Sequence, residues 1–292
     1  MALVKIDRLN LGLPYENCNR LDCRARSNLL KCGACKIALY CGQDHQHQDR
    51  PRHKTPCKIL KEAREALVKQ QNTLAEQPDS PLDDPECIGH FWSVPGTRSF
   101  MQTRFGVTQT LLAVRTGEAV DPALDLALKI LRLCRGDNQG IQTYVPAMYV
   151  GLGRDQEAYD FIKCTAPYPN LHLEDIMSDE YENWDFDFQL SFAVILTLIF
   201  AKVLLDVGLL LQIVGDILLN RPDLVDVDDY LPLQEKLGEM VGKSYAKVKA
   251  INKYSWPAIL RPERYAAAPL GIYGKGTESQ AVLAFRESWD RG

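Results

Sequence analysis

Residues 18–57 read CNRLDCRARSNLLKCGACKIALYCGQDHQHQDRPRHKTPC, and the positions of their cysteines and histidines constrain the N-terminal part of the chain. They follow the spacing Cys-x4-Cys-x8-Cys-x2-Cys-x5-Cys-x3-His-x7-His-x3-Cys. A structural zinc ion is held by four cysteine or histidine ligands in a tetrahedron. The spacing therefore supplies ligands for two zinc ions. The predicted ligands are Cys18, Cys23, Cys32, Cys35, Cys41, His45, His53 and Cys57.

The setting of these cysteines favours metal binding over disulfide bonds. Six of the nine cysteines lie in the first 57 residues of a 292-residue chain, which is 46% hydrophobic and 25% charged, as ordinary folded proteins are. The first ten residues contain Lys5, Asp7 and Arg8 and lack the apolar core of a secretory signal. We therefore expect an intracellular protein, cytoplasmic, nuclear or both, in which thiols stay reduced.

Local geometry supports the ligand assignment. Cys32 and Cys35 enclose Gly33-Ala34, whose small side chains suit a turn of the backbone toward a metal. Two later pairs, Cys41/His45 and His53/Cys57, are each four residues apart, so one helical turn would direct both members at one ion. A segment this short buries too little apolar surface to fold alone. We expect it to unfold when the metal is removed.

The spacing, with Tyr40 directly before Cys41 and Gln46 directly after His45, resembles the MYND family of zinc fingers. Members of that family bind two zinc ions in an interleaved arrangement. The resemblance covers residues 18–57 and implies two ligand sets. The first set is Cys18, Cys23, Cys41 and His45, and the second is Cys32, Cys35, His53 and Cys57.

Three positions depart from the usual family pattern. Four residues separate Cys18 from Cys23 where two are commoner, and His45 stands where cysteine is usual, but both changes suit zinc. His47 fits the ligand spacing less well than His45. Family members that bind proline-rich peptides present a tryptophan where this chain has Arg50, four residues after Gln46. The resemblance therefore implies Gln46 and Arg50 as possible peptide contacts, without the apolar surface of an indole.

Charge and helical periodicity divide the chain. From Cys18 to Lys69 there are 12 Lys or Arg and 5 Asp or Glu residues, so this segment is basic, whereas the rest of the chain is acidic. Apolar residues at helical spacing after Cys57 predict a helix that supports the finger. Prolines and acidic residues then indicate a linker. The predicted boundaries are an N-terminal extension at 1–17, a finger at 18–57, a supporting helix at 58–76, a linker at 77–95 and a helical domain at 96–292.

The helical domain is predicted from alternating helices and short turns. We expect a helix over 97–116, a second after Asp121-Pro122, a third from Ile141 to Gly151 and a fourth from Asp155 to Thr165. Residues 144–162 resemble a tetratricopeptide-type helix pair, with Gly153 as the turn glycine and Tyr149, Ala158 and Ile162 at packing positions. Residues 123–139 also resemble such repeats, and residues 273–289 do so more weakly. The alternative is an unrelated helical bundle. The predicted fold class is therefore mainly α, a two-zinc MYND finger followed by a tetratricopeptide-like domain.

An apolar run at 192–214 raises the possibility of a membrane helix. Lys202 and Asp206 interrupt it, and each charge costs about 2.5–3.5 kcal/mol at the centre of a membrane helix. We therefore predict a buried core helix with a Lys202/Asp206 pair at its rim, and no membrane contact.

The sequence favours an adaptor over an enzyme. We find no cofactor segment of the SET methyltransferase type, and in Gly271–Thr277 the residue after Lys275 is Gly276 rather than the Ser or Thr of a phosphate loop. The leading hypothesis is a non-catalytic adaptor or scaffold, with transcriptional regulation as one setting, whose partners are proteins such as proline-rich or basic peptides. Acidic stretches at 174–187 and 223–229 are expected to be solvated loops. The alternative is a docking surface for a basic partner or for the basic finger itself. The alternatives are a nucleic-acid-associated regulator that uses the basic finger and a degenerate SET/MYND-type lysine methyltransferase.

Overall fold

The computed structural model describes residues 17–77, 79–82, 84–114, 116–165, 190–218 and 230–261. These residues form a mainly α-helical protein, as the sequence predicts, with one short β-hairpin near the N-terminus. They divide into two compact units, one that ends at Leu152 and one that starts at Gly153. This division lies inside the range 96–292 that the sequence assigns to a single helical domain.

One long helix joins the predicted finger to the helix predicted after it. The hairpin of β1 (Leu30–Lys31) and β2 (Leu39–Tyr40) comes first, with Leu30 opposite Tyr40 in an antiparallel register. Helix α1 then runs over Gln43–Ala75 without a break. The supporting helix predicted at 58–76 is therefore the second half of α1.

Two prolines lie inside α1, which sequence rules would not place there. Pro51 and Pro56 each lack an N–H group, so the carbonyls of His47 and Arg52 lose their helical hydrogen bonds. Such a loss favours a break in an isolated helix. The helix nevertheless continues, and His45 and Cys57, on either side of the two prolines, belong to the two ligand clusters described below. Tertiary contacts here override local helix propensity.

Three further helices complete the N-terminal unit. They are α2 (Thr97–Leu112), α3 (Gly117–Leu133) and α4 (Val145–Gly151). Helix α2 packs against both α1 and α3, and α3 packs against α4. The side chains that fill the interior of this stack are at most 2% exposed and include Phe100, Met101, Leu111, Leu124 and Ile130.

The predicted start of α3 is wrong. The sequence places a cap at Asp121 with Pro122 in the first helical position, but α3 begins at Gly117 and includes Pro122. Thr116 is the N-cap residue, with extended backbone angles (φ −128°, ψ 155°). The first N–H groups of a helix have no intrahelical partner, and Pro122 lies just beyond them. Its missing N–H group therefore removes few hydrogen bonds from α3.

A polar turn at 135–140 follows α3. The Asp137 side chain accepts hydrogen bonds from the backbone N–H groups of Ile141 (2.8 Å) and Gln142 (2.9 Å). Gly140 has φ 70°, a left-handed conformation that glycine adopts without steric cost. The chain then forms a short 3₁₀ turn at Ile141–Thr143 before α4, where the sequence predicts one helix from Ile141 onward.

The C-terminal unit consists of α5 (Asp155–Thr165), α6 (Leu190–Leu218), α7 (Tyr230–Ile251) and α8 (Ser255–Leu260). The bounds of α5 are those that the sequence predicts. Helix α6 packs against α7 and α5, and α8 packs against α7. A buried apolar cluster joins α6, α7 and α8 and contains Leu190, Ala193, Val194, Val248 and Trp256.

The tetratricopeptide resemblance stays a prediction. Gly153 has φ 70° and lies between α4 and α5, as a turn glycine should. Ala158 and Ile162 are buried, as expected for packing positions. These features also suit an unrelated helical bundle.

Helix α6 differs in one respect from its prediction. Lys202 pairs with Asp155 of α5, not with Asp206, and its side chain is 9% exposed. The pairing spans 47 residues of sequence, so helical spacing alone does not reveal it. Residues 190–209 form the one stretch, within the described part of the chain, that is long and apolar enough to cross a membrane, and 50% of its apolar window is buried inside the protein. That α6 is a core helix stays a prediction.

Several sequence predictions lie outside the described residues. They concern the N-terminal extension up to residue 16, the acidic stretches at 174–187 and 223–229, the glycines of 271–277 and the distant repeat at 273–289.

The Lys202–Asp155 pair yields a prediction about stability. Asp155→Asn removes the charge that compensates a buried ammonium, so we expect a loss of about 3 kcal/mol in the free energy of unfolding, measured by urea denaturation. Lys129→Gln is the matched control, because it breaks an exposed pair with Asp125 and should cost under about 1 kcal/mol. Equal losses for the two variants would contradict the assignment of a buried ion pair.

Candidate metal centre

Two groups of cysteine and histidine side chains converge in the finger region. The first contains Cys18, Cys23, Cys41 and His45, and the second contains Cys32, Cys35, His53 and Cys57. Within each group the sulfur and nitrogen ligand atoms lie within 4.8 Å of one another. All eight residues are the predicted ones, and they are grouped as the family resemblance implies.

The spacing of the ligand atoms fits tetrahedral zinc. With Zn–S and Zn–N bonds of usual length, two sulfurs should be about 3.8 Å apart and a sulfur and a nitrogen about 3.6 Å apart. The sulfur pairs Cys23/Cys41 and Cys32/Cys57 are both 3.8 Å apart. Cys35 Sγ lies 3.6 Å from His53 Nε2. The donor chemistry and the separations therefore suit zinc in both groups.

His45 of the first group faces its cysteines with Nδ1, whereas His53 of the second group does so with Nε2. His45 Nδ1 lies 3.6 Å from Cys18 Sγ and 3.0 Å from Cys41 Sγ. The second separation is shorter than that expected around zinc, so these two atoms must move apart by about half an ångström when the ion binds. His45 Nε2 faces the other way and lies 3.1 Å from Arg20 Nη1.

Turns before α1 position the cysteine ligands. After Cys35 the chain turns at Lys36, whose φ is 59° and whose N–H donates to the carbonyl of Cys32 (2.9 Å). The expectation that small residues at Gly33-Ala34 make this turn is therefore only partly right. Gly33 has no positive φ, and a methyl group there would meet nothing within 4 Å. The left-handed residue that the turn needs is Lys36.

Helix α1 supplies ligands to both groups. His45 belongs to the first group, and His53 and Cys57 belong to the second. As the sequence predicts, His53 and Cys57 lie four residues apart on one face of the helix and converge. The same prediction is wrong for Cys41 and His45, because α1 begins at Gln43, after Cys41. The two groups are thus fixed relative to each other by one helix.

A buried polar network, which the sequence analysis did not identify, fastens α1 to the hairpin. Asp49 is 6% exposed and accepts a hydrogen bond from the Tyr40 hydroxyl (2.7 Å) and another from Arg52 Nε (2.8 Å). Burial and Asp49 raise the pKa of Tyr40 above its usual value. Arg52 also donates to the carbonyl of Asn19, and Arg64 donates to that of Cys35. The sequence signal for this network is Tyr40, because a buried tyrosine hydroxyl requires a hydrogen-bond partner.

The thiols of each group have divergent pKa values. Burial raises the pKa of Cys18 and Cys32, but backbone N–H groups and neighbouring side chains outweigh it and lower the two values to about 7 and about 6. Loss of hydration, followed by contacts with neighbouring cysteines, raises the pKa of Cys41 to about 11 and that of Cys57 to about 12. Cys18 and Cys32 therefore form thiolates more readily than Cys41 and Cys57, which resist ionisation until a cation compensates the charge.

An open groove of about 320 Å³ lies beside the second group. One wall is the Cys32–Ala34 turn, and the other is the face of α1 that carries the predicted peptide contacts Gln46 and Arg50. Cys57 also lines the groove. The structure therefore places both predicted contacts on one surface next to a ligand cluster.

The comparison with protein families agrees with this geometry. The family model described as the MYND finger matches residues 16–57. This segment is a MYND finger. The comparisons with curated proteins and with solved structures give no significant match. The MYND finger is a zinc-binding module of protein interaction, and its two ligand groups here fit two zinc ions.

The ligand assignment predicts the metal content. Elemental analysis of the purified protein should find two zinc ions per chain. Cys35→Ser removes one ligand of the second group and should lower the content toward one. Cys87→Ser is the matched control, since Cys87 belongs to neither group, and it should retain both ions. Fewer than two ions in the unaltered protein would contradict the assignment.

The raised thiol pKa values predict proton release. At pH 7 Cys41 and Cys57 carry protons in the metal-free chain, both in the folded arrangement, where their pKa values are about 11 and about 12, and after unfolding, where thiols have an ordinary pKa of about 8.5. Zinc binds the thiolate, so loading should release these protons, and the apparent zinc affinity should rise with pH. Calorimetric titration of chelator-treated protein in buffers of different ionisation enthalpy measures the number released. A heat independent of the buffer would contradict the prediction.

Proposed function

We propose that this protein is a non-catalytic adaptor whose MYND finger binds a protein partner inside the cell, in the cytoplasm, the nucleus or both. The observation that carries the proposal is that each ligand group contains four protein side chains whose ligand atoms lie within 4.8 Å of one another. Catalytic zinc keeps a position open for water or substrate, whereas structural zinc has all four positions filled by the protein. Closed sites of this kind stabilise the fold that carries a binding surface and leave no position on the metal for water or substrate.

The surface in question is the groove beside the second ligand group. It is open to solvent, and its walls are held by zinc ligands on one side and by α1 on the other. A surface fixed in this way loses little conformational entropy when a peptide binds. Gln46 can donate and accept hydrogen bonds with a peptide backbone, and Arg50 can stack on a side chain or pair with a carboxylate.

Helix α1 also links this surface to the rest of the N-terminal unit. Its second half packs against α2, with Leu60 and Leu74 buried. In the proposed adaptor the helical body provides a further binding surface, as helical-repeat scaffolds do. A role in transcriptional regulation is one setting in which such an adaptor would act.

Affinity capture from cell extracts tests the proposal. Partners of the finger should be retained by the unaltered protein and by Cys87→Ser, and lost from Cys35→Ser, because only the last variant breaks a ligand group. Circular dichroism should show that the helical content of Cys35→Ser is largely preserved. If Cys35→Ser retains every partner, the finger is not the docking site. Binding of a methyl-donor cofactor in calorimetry would instead favour the methyltransferase alternative.

A further inference from the structure

The charged side chains that line the groove beside the second ligand group are all positive. Four basic side chains line it, Arg50, Lys54, Lys58 and Lys61, and no acidic residue does. A zinc ion held by three thiolates and a histidine contributes a net charge of about −1. The groove therefore stays strongly positive after zinc binds, although the whole chain has a net charge of −4.

These four cations form a row along α1. A helix rises about 1.5 Å per residue, so the steps from Arg50 to Lys54 and from Lys54 to Lys58 are each about 6 Å. Lys61 follows about 4.5 Å further along. Alternate side chains of an extended peptide project to the same side at intervals of about 6.6 Å. Acidic side chains at alternate positions of such a peptide would therefore match the row of cations.

The cations are available for a partner. Within the part of the chain that the structure describes, Arg50 and Lys54 have no ion pair or hydrogen bond, and both are exposed. Lys58 and Lys61 make only long contacts of 3.6 Å, with Glu62 and Glu65, at the exposed surface. Exposed pairs of this kind contribute little, so exchanging them for a carboxylate of a partner costs little.

The opposite wall leaves room for a peptide backbone. Gly33 and Ala34 are exposed and have the smallest side chains, so a chain can approach this wall closely. The space of about 320 Å³ suits a few residues of an extended peptide. Among its lining residues there is no Phe, Tyr or Trp on which a single-stranded base would stack.

We propose that this groove binds an extended acidic segment of a partner protein, with carboxylates at alternate positions paired to Arg50, Lys54 and Lys58. The inference rests on the proposed adaptor function and specifies the chemistry of its partner. Charge complementarity takes the place of apolar contact with the peptide, and Gln46 lies at the end of the row to bind the peptide backbone.

A labelled short peptide in which Glu alternates with Val tests the inference with the zinc-loaded full chain. Fluorescence anisotropy should show binding that weakens as salt is raised. The same peptide with Gln in place of Glu should not bind. Arg50→Gln and Lys54→Gln should each weaken binding by about two- to fivefold, and the double variant by about tenfold. Lys69→Gln is the matched control, because it removes an exposed cation of α1 that lies outside the groove.

Three outcomes would overturn the inference. They are no binding of the Glu peptide, equal weakening by Lys54→Gln and Lys69→Gln, and tighter binding of a single-stranded oligonucleotide that is lost in the Arg50 and Lys54 variants. Affinity capture distinguishes failure of the acidic-ligand inference from failure of the proposed adaptor function. Partners lost from Cys35→Ser without any binding of the Glu peptide would leave the adaptor standing and reject the acidic ligand.

Discussion

Three of the eight predicted zinc ligands project from a single helix, and the other five come from the irregular chain before it. Two ions that bind these ligands would tie that irregular chain to α1 at two separate points. The hairpin is only two residue pairs long and cannot hold such a structure alone. The Asp49 network and the carbonyl contacts of Arg52 and Arg64 then orient the helix against the turns. Order in this part of the molecule therefore depends first on metal ligation and second on buried polar contacts.

The ligands were predictable because cysteine and histidine spacing is a local signal with a known coordination chemistry. Helix α5 was predictable for a related reason, since Asp155 begins it and a glycine turn precedes it. The continuity of α1 was not, because Pro51 and Pro56 argue for a break and the contacts that oppose it are distant in sequence. The partner of Lys202 was also hidden, because Asp155 lies on another helix.

The charge of the finger acquires a structural meaning only once α1 is seen to be continuous. Read along the sequence, Arg50, Lys54, Lys58 and Lys61 fall on both sides of a predicted boundary at residue 57. On one uninterrupted helix they share a face, and that face borders a groove. Arginine, where the family usually has tryptophan, then adds a cation to a face that already carries three lysines.

Continuity of α1 also limits how far the finger is a separable module. The segment recognised by family comparison ends at Cys57, in the middle of the helix, and the helix goes on for a further 18 residues to Ala75. Two residues that contact the finger lie beyond that limit. Leu60 is buried beside the finger, and Arg64 donates a hydrogen bond to the carbonyl of Cys35. The segment defined by sequence similarity is therefore shorter than the segment whose contacts stabilise the finger. A fragment cut at the former would end inside a helical turn, and an exchange of this finger between proteins would have to carry the whole helix with it.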